Sequence, residues 1–321
     1  MKLLLLTCDT EVGELASGED AFEIFMEGKV NNQVAGVSLI NSIASQYKVA
    51  VEHFMDIYPY ERYSEKKFQK LCDDILAGGH FLQLHTHPSG RFDHSRKYMH
   101  QYTLDEQRNI VGWGKQKIHQ WTGYEVIAHR AGGYGANEQT LTALKENGIG
   151  LDSSFFFQNA VCRIAYPHKN KCDYYNGIFE IPVTVYECEK QFVPVRKKIK
   201  YYAKLDFRYG SSISDIVTVV RSAPDNTIIT LFLHSFNFLN LRYNTRSKTY
   251  RKITVNNHLI ANYEKLLSEL SQIPSAKFTS FREVNSALAT NEIDICIRKQ
   301  ELNGKSMIGK LIRGLSATID V

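Results

Sequence analysis

The sequence predicts a parallel α/β sheet or barrel, and three observations support this fold class. Short apolar runs alternate with helix-like segments along the chain, which is the order expected when helices connect parallel strands. The run over 227–234 is almost wholly apolar, which is typical of a strand buried on both faces of a sheet. The chain has 321 residues, a length that α/β barrels often use as a single domain.

The elements of the first half follow from apolar periodicity and capping residues. Residues 3–7 form a short apolar run followed by acids, which favours a buried strand over a signal peptide. Ser64 is placed to cap one helix, and Thr103 with Glu106 forms a capping-box pattern that begins another. We predict, in order, strand 3–7, helix 34–47, strand 49–54, helix 65–76, strand 81–85 and a helix from the capping box to about residue 121.

The second half continues the alternation. Asn137 is placed to cap a helix, and Gly148 ends it, because glycine readily adopts the conformation needed after a helix C-terminus. Residues 186–212 and 237–256 interrupt the pattern and are predicted insertions. We predict, in order, strand 126–129, helix 138–146, a short strand near 149–151, strand 178–185, helix 214–221, strand 227–234, helix 257–270 and strand 277–279.

The chain is expected to divide into a main domain over 1–290 and a C-terminal extension over 291–321. The extension carries an apolar stripe at helical spacing beside basic residues: Met307, Ile308, Leu311, Ile312 and Leu315. Such a stripe more often packs on its own domain, and a membrane-surface contact is the alternative. No stretch of the sequence approaches the roughly 18 apolar residues of a membrane span.

Charge and cysteine content restrict the function classes. The net charge is +5, and basic residues are concentrated in 190–208 and 242–252. Such patches are usually solvated, but they could attract an anionic glycan, a lipid diphosphate or an anionic membrane surface; no nucleic-acid motif is present. Six scattered cysteines without a Cys-x-x-Cys pair argue against a zinc ribbon or a stapled secreted scaffold. We expect a cytoplasmic protein, with the inner membrane surface as a further option and a Cys162–Cys172 bridge left open.

Ionisable residues follow nearly every predicted strand at its carboxyl end. In parallel α/β folds these ends lie at one edge of the sheet, where functional groups gather. The density of such residues predicts a functional site at that edge. They are, in chain order, Asp9, Glu11, His85, His87, His129, Arg130, Asp152 and His234.

His85 and His87 are the strongest indication of a metal site, although two unrelated surface histidines are the alternative. Side chains alternate along a strand, so these two imidazoles project to the same face. With one carboxylate they would hold zinc or another divalent metal and leave positions for water and substrate. A second carboxylate beside Arg130 could accept a proton from that water, and His234 could protonate a leaving group.

Five segments, in order, resemble the motifs of the NodB-type polysaccharide deacetylases, the fourth carbohydrate esterase family. Residues 7–11 are similar to Thr-Phe-Asp-Asp, 85–88 to His-Ser/Thr-x-x-His-Pro, 130–135 to Arg-x-Pro-x-Gly, 152–155 to Asp-x-x-Trp and 231–234 to Leu-x-Leu-His. The resemblance covers about residues 1–285. It implies an irregular (β/α)7-type barrel of the polysaccharide deacetylase kind, with insertions and a short C-terminal extension.

The resemblance also implies roles for the site residues. Asp9 would be the base and Glu11 the metal ligand, with the reverse assignment open because Thr10 replaces the family's second aspartate. The histidine pair is closer in sequence than in the family, so His94 is an alternative to one of its members. The implied metal ligands are Glu11, His85 and His87. The implied catalytic residues are Asp9, His234, Arg130 and Asp152.

The implied function is removal of acetyl groups from N-acetylated (or O-acetylated) sugars. The substrate would be a polysaccharide or a lipid-linked glycan precursor in surface-polysaccharide synthesis, and the metal would be Zn²⁺. A retaining glycosidase on a related barrel is one alternative, in which Asp9 pairs with a carboxylate such as Asp152. A non-catalytic glycan-binding relative is the other, and Thr10 is its main support.

Overall fold

The structure, a computed structural model, describes residues 1–13, 18–192, 197–244 and 249–290. The predicted extension over 291–321, with its apolar stripe, lies outside the described residues, so a division at residue 290 stays a prediction. None of the helices in these ranges is long and apolar enough to cross a membrane.

The strands agree in order with the predicted ones, and further strands are added. They are β1 (Lys2–Thr10), β2 (Lys29–Val30), β3 (Gln33–Val34), β4 (Glu52–Asp56), β5 (Phe81–Thr86), β6 (Ala128–Ala131), β7 (Leu151–Asp152), β8 (Asp173–Tyr175), β9 (Ile178–Glu180), β10 (Val185–Phe192), β11 (Lys197–Lys204), β12 (Ile228–His234), β13 (Leu239–Asn244), β14 (Thr249–Val255) and β15 (Ala276–Thr279).

The described helices are α1 (Ala21–Phe25), α2 (Val37–Gln46), α3 (Tyr60–Tyr63), α4 (Glu65–Ala77), α5 (Leu104–Thr122), α6 (Glu138–Glu146), α7 (Ile213–Ser222), α8 (Asn257–Ser271) and α9 (Phe281–Ala289). The six predicted helices are present in the predicted order, and α1, α3 and α9 are additional. Short 3₁₀ turns lie at Pro88–Gly90, Met99–Gln101 and Gly132–Tyr134.

Within the described residues, nine strands form one sheet in the order β12-β1-β4-β5-β6-β7-β9-β8, with β15 also paired to β1. These pairings are parallel except that of β8 with β9. The predicted parallel α/β architecture is therefore confirmed. The central strand β1 is apolar and buried because it has neighbours on both edges and covered faces on both sides.

The sheet curls into an irregular barrel of the predicted kind, and threonine side chains bridge its seam. Thr184 N donates to Thr230 Oγ1 at 2.8 Å, and Thr230 N donates to Thr184 Oγ1 at 2.9 Å. These bonds bring the segment after β9 against β12, at the opposite end of the strand order. The backbone N–H groups of Thr184 and Thr230 are thus hydrogen-bonded by side chains, without a strand ladder between these two segments.

Local signals explain most helix ends. Thr103 and Glu106 make the reciprocal bonds of a capping box at α5, and Asn137 accepts from the backbone of α6. Ser64 precedes α4 as predicted, but its side chain makes no capping bond. The helix α9 was not predicted, although Ser280 and Glu283 form the same capping box there.

The two predicted insertions are antiparallel hairpins outside the main sheet: β10–β11 and β13–β14. The predicted strand 178–185 is split, because Pro182 cannot donate to a ladder and separates β9 from β10. The end of the first hairpin reaches the sheet, where Phe232 N donates to Leu205 O at 3.0 Å. This contact places the residues after β11 beside the carboxyl end of β12.

Candidate active site

The carboxyl ends of the parallel strands bring the predicted residues to one edge of the sheet. The register of β1 with β12 sets Asp9 beside His234. The register of β5 with β6 sets His85 beside Arg130. Strands that run in one direction end at one edge, so residues far apart in sequence share a site there.

Alternation along β1 separates the roles of three consecutive residues. Asp9 and Glu11 face the site, whereas Thr10 faces the opposite side, where its hydroxyl lies 2.8 Å from His53 Nδ1. His53 Nε2 in turn lies 2.8 Å from Asn41 Oδ1 of α2. Thr10 therefore joins the sheet to a helix layer and does not take part in the site.

Among the described residues, Glu11, His85 and His87 form a group whose ligand atoms all lie within 4.8 Å of one another. Glu11 Oε2 is 2.7 Å from His87 Nε2 and 3.3 Å from His85 Nε2. Two imidazole nitrogens and a carboxylate oxygen are the ligands of catalytic zinc and related divalent metal sites. The donor set fits the metal that the motifs imply.

The backbone around this group orients both imidazoles. His85 Nδ1 donates to the carbonyl oxygen of Arg130 at 2.8 Å, which orients the ring so that Nε2 faces Glu11. Gly132 packs against the ring of His87, and a Cβ there would lie 2.4–2.6 Å from three ring atoms. A side chain at position 132 would therefore displace His87.

Glu11 is ionised within this group. Burial by itself raises the pKa of the Glu11 carboxyl, but the imidazoles of His87 and His85 lower it well below the ordinary value. The alternative ligand His94 is exposed, and its Nδ1 lies 2.6 Å from Ser89 O. The group that the structure forms thus contains both members of the closely spaced pair, and His94 lies outside it.

Asp9 lies next to this group but has a different partner. Arg130 Nη1 donates to Asp9 Oδ1 at 2.6 Å, while Asp9 Oδ2 lies 3.9 Å from His85 Nε2. Arg130 is itself completely buried, with its guanidinium 4.1 Å from the ring centre of Phe54 and 4.5 Å from that of Phe232. An arginine held this firmly fixes one carboxylate oxygen and leaves the other directed at the site.

His234 lies on the other side of Asp9, at the end of β12. Its Nδ1 is buried and makes no hydrogen bond to the described residues. Burial lowers the pKa of His234, and the positive charge of Lys204 lowers it further, against the opposing effect of Asp9 and Glu11. His234 is therefore a neighbour of the two carboxylates with an unused ring nitrogen.

Asp152 takes part in a separate buried network. Its Oδ1 lies 2.7 Å from His129 Nδ1 and accepts from Ser154 Oγ at 2.8 Å. His129 Nε2 lies 2.9 Å from the hydroxyl of Thr86. Burial raises the pKa of Asp152, but His129 lowers it below the ordinary value. Of the predicted site residues, Asp152 contacts His129 directly, and this network is separate from the group of Glu11, His85 and His87.

Asp56 is a site neighbour that sequence reasoning missed. It ends β4, where the register sets it beside His85, and it is buried. Burial raises the pKa of Asp56 to about 6, although His87 and His85 oppose the rise. The rule that polar residues gather at strand ends could have found it, but the predicted strand stopped at residue 54.

Lys204 and Tyr134 are two further neighbours whose roles the sequence left undefined. The sequence places Lys204 in the basic stretch 190–208 and Tyr134 in the motif-like segment 130–135, without a role for either side chain. In the structure Lys204 Nζ donates to Tyr134 Oη at 3.2 Å. The tertiary structure brings this lysine from an insertion to the wall of the site.

Solved structures share this fold, among them the two that follow. A "putative polysaccharide deacetylase" from Mycobacterium smegmatis matches over 95% of this chain and 95% of its own, with 14% identity and a TM-score of 0.56. The 4-alpha-glucanotransferase from Thermococcus litoralis matches over 88% of this chain and 40% of its own, with 8% identity and a TM-score of 0.52. No family model and no curated protein matches the sequence. The resemblance to polysaccharide deacetylases is thus confirmed for the fold.

Proposed function

We propose that the protein is a metal-dependent hydrolase that removes acetyl groups from N-acetylated sugars of a polysaccharide or lipid-linked glycan precursor. The observation that carries this proposal is that two carboxylates at the end of β1, Asp9 within the strand and Glu11 directly after it, have different partners. Glu11 meets the imidazoles of His85 and His87, whereas Asp9 meets the guanidinium of Arg130. The first arrangement suits a cation and the second suits an oriented base. The motif order and the fold support the same proposal.

Glu11, His85 and His87 would hold the metal. We propose Zn²⁺, because catalytic zinc sites take imidazole and carboxylate ligands and keep a position open for water or substrate. When bound, the ion supplies Lewis acidity that activates water and polarises the acetyl carbonyl. The hydrogen bond from His85 Nδ1 to the Arg130 carbonyl keeps the Nε2 lone pair directed at the site.

Asp9 is the proposed base. Its Oδ1 is occupied by Arg130, so Oδ2 is the oxygen that remains to take a proton from the attacking water. Arg130 is held in turn by the carbonyl and hydroxyl oxygens of Ser153 and by the ring faces of Phe54 and Phe232. The base is thereby fixed in one orientation before substrate arrives, which lowers the entropic part of the barrier.

His234 is the proposed acid for the departing amine. Its lowered pKa makes its protonated form a stronger acid, which transfers a proton to the leaving nitrogen more readily. It is the register partner of Asp9 on β12, whereas His85 lies on β5 at the other side of β1, so the proposed acid and the proposed metal ligands flank the proposed base. A base that takes a proton from water and an acid that donates one to the amine are the two groups that hydrolysis of an acetamide requires.

The alternatives have less support. A retaining glycosidase needs a second carboxylate opposite Asp9, and the predicted partner Asp152 is engaged with His129 and Ser154. A non-catalytic relative was suggested by Thr10, but this residue faces His53 on the other side of β1. Its identity therefore leaves the metal group intact.

We also propose a cytoplasmic location. The described cysteines are free thiols, so the Cys162–Cys172 bridge that the sequence left open is not formed. Free thiols support a reducing compartment. Contact of the basic stretches with the inner membrane surface is a second proposal, because positive patches attract anionic lipid headgroups.

Acetate release from N-acetylglucosamine oligosaccharides tests the function. The zinc-loaded protein should release acetate, and His87→Ala should abolish the release because it removes one ligand of three in the group. His94→Ala is the matched control: it removes an exposed histidine outside the group and should leave the rate unchanged. Full activity of His87→Ala would reject the site. Cleavage of glycosidic bonds by metal-free protein, without acetate release, would favour the glycosidase.

A further inference from the structure

Lys204 and Tyr134 meet beside His234, at the wall of the candidate active site. Lys204 Nζ lies 3.2 Å from Tyr134 Oη, 3.4 Å from Asp206 Oδ2 and 4.1 Å from the ring centre of Phe232. Phe232 and His234 are two residues apart on β12, so their side chains point to the same face. The side chain of Lys204 is only 18% exposed, so its charged group is partly buried beside the site.

This pair has more hydrogen-bond donors than its described neighbours use. An ammonium group carries several N–H donors, and within the described residues that of Lys204 forms a hydrogen bond with Tyr134 Oη. Asp206 contributes an ion pair at the longer distance of 3.4 Å. Because the oxygen of Tyr134 accepts from the lysine, its own proton is directed elsewhere. A partly buried cation beside a hydroxyl donor is suited to a ligand that carries acceptor oxygens.

The backbone of Tyr134 is an independent sign of a functional constraint. Its φ angle is +63°, in the left-handed region that bulky residues rarely adopt. The ring is held by Phe156, with centroids 4.9 Å apart, and by Phe232, with centroids 6.0 Å apart. Strained conformations of this kind cluster at ligand sites, where surrounding contacts maintain them. Here the strained turn directs the phenol towards Lys204.

A second lysine–tyrosine pair continues the wall. Lys169 Nζ donates to Tyr202 Oη at 2.8 Å and lies 5.2 Å from the ring centre of Phe157. Tyr202 and Lys204 are two residues apart on β11 and share one face of the hairpin. Phe157 directly follows Phe156, the neighbour of Tyr134. We call Tyr134, Lys169, Tyr202 and Lys204 the lysine–tyrosine wall.

We propose that the lysine–tyrosine wall binds an acidic glycan, with Lys204 and Tyr134 holding a carboxylate or phosphate group near the sugar that carries the acetyl group. Charge-assisted hydrogen bonds to an ammonium are stronger than neutral ones, and they are strengthened by partial burial. The phenol and phenyl rings provide apolar faces for the sugar rings between the acidic groups. The inference rests on the proposed function for the position of the acetyl group, but its binding step does not depend on turnover.

Binding calorimetry on the full-length protein, zinc-free and zinc-loaded, tests the proposal. The probe is an oligosaccharide of alternating N-acetylglucosamine and glucuronic acid, compared with its carboxyl-reduced form, in which each uronic acid is converted to glucose. The acidic form should bind about tenfold more tightly, the effect of one charge-assisted hydrogen bond. A short-chain lipid diphosphate of N-acetylglucosamine forms the second arm. Tighter binding there than of the uronate chain would assign the acidic group as phosphate.

Variants identify the wall as the source of the preference. Lys204→Met and Tyr134→Phe should each remove most of the preference for the acidic probe, since each deletes one donor. Lys277→Met is the matched control, because it removes an exposed lysine of β15 that is paired with Glu283. It should keep the full preference.

Three results would overturn the proposal. They are equal binding of the acidic and reduced probes by the unaltered protein, an undiminished preference in Lys204→Met, and an equal loss in Lys277→Met. The first comparison needs no variant, so a misfolded mutant cannot decide the outcome. A preference for the acidic probe without any acetate release would reject the proposed deacetylase activity and retain the wall.

Discussion

Asp9 lies at the end of β1 and Glu11 directly follows the strand, and their contacts indicate different roles for the two carboxylates. Glu11 lies between two imidazoles, whose positive form or a bound cation would neutralise it. Asp9 already forms an ion pair with Arg130, so its negative charge is partly neutralised and would attract a metal ion less strongly. The motif comparison left open which carboxylate is the base and which is the metal ligand. The neighbours of each carboxylate favour Asp9 as the base and Glu11 as the ligand.

Amide substitutions at these two positions should separate binding from chemistry. Glu11→Gln should weaken zinc binding by at least about tenfold, because it replaces an anionic ligand with a neutral one. Asp9→Asn should bind zinc nearly as the unaltered protein does, yet its acetate release should fall by about a hundredfold or more, the contribution typical of a positioned base. Calorimetry and acetate release measure the two effects.

The reverse pattern would exchange the roles. If Asp9→Asn lost zinc while Glu11→Gln retained it, Asp9 would be the ligand and Glu11 the base. Equal loss of both quantities in both variants would indicate that the carboxylates act as a single unit.

At the element scale, a buried chain of hydrogen bonds joins the ends of β5, β6 and β7. It runs from Thr86 through His129 to Asp152. Thr86 lies between His85 and His87 in sequence but faces the other side of its strand. The chain therefore sets the position of the strand end that carries both imidazoles. We therefore expect Asp152 to act by positioning this strand end, which is an alternative to the catalytic role that the motif resemblance implies.

Thr86→Val and Asp152→Asn should each weaken zinc affinity by about tenfold, because outer partners of ligands tune metal binding by this order. The double variant should lose little more than either single one, since both break the same chain. Calorimetry on the three variants tests this. A fall in kcat at unchanged zinc affinity in Asp152→Asn would return Asp152 to a direct catalytic role.

His53 links β1 and β4 to α2 in its neutral form. Burial lowers its pKa from 6.5 to about 3, while the unfolded chain takes up a proton near the ordinary value. As the pH falls from 6.5 towards 3, the unfolded state therefore binds a proton that the folded state excludes. The stabilising contribution is present above pH 6.5 and declines below it, by at most about 1.4 kcal/mol per pH unit.

His53→Gln should make the stability less dependent on pH over this range. Glutamine can still hydrogen-bond to Thr10 and Asn41 but does not titrate, so the slope of the free energy of unfolding against pH should decrease. Urea denaturation at several pH values between 4 and 7 measures the slope, with about 0.5 kcal/mol per unit as a detectable change. An unchanged slope would show that other groups dominate acid unfolding.

At the scale of the whole molecule, the barrel depends on a seam closed by side chains. Thr230 is almost completely buried on β12, where its hydroxyl accepts from Thr184 N and donates to Pro182 O. The same strand carries Phe232 and His234 to the site. Loosening the seam would therefore affect both stability and the position of the proposed acid.

Thr230→Val should lower the free energy of unfolding by about 1–3 kcal/mol, because it leaves a buried N–H and a buried carbonyl without their partner. Urea denaturation measures the loss. Thr142→Val is the control: its hydroxyl bonds within α6 at a partly exposed position, so the change should stay within about 0.5 kcal/mol. Equal losses in the two variants would show that the hydrogen bonds of Thr230 at the seam contribute no more to the free energy of unfolding than the partly exposed bond of Thr142.

Much of this molecule could be predicted because its signals are local. Strand-helix alternation, the apolar run of β12 and the capping box at Thr103 depend on residues close in sequence, and the structure agrees with them. The period of two along a strand also placed Asp9 with Glu11 and His85 with His87. Errors arose where a boundary was misplaced by two residues, as at Asp56, or where a proline divided a strand, as at Pro182.

The sequence by itself determined the fold class, the order of the elements and the set of residues that gather at one edge of the sheet. Only the tertiary structure decided which side chains contact each other. Arg130 forms an ion pair with Asp9, His129 forms a hydrogen bond with Asp152, and Lys204 of an insertion contacts Tyr134 at the wall of the site. The physical reason is that element formation follows short-range periodicity. Pairing between side chains depends instead on strand register and barrel curvature, which arise from contacts between residues far apart in the chain.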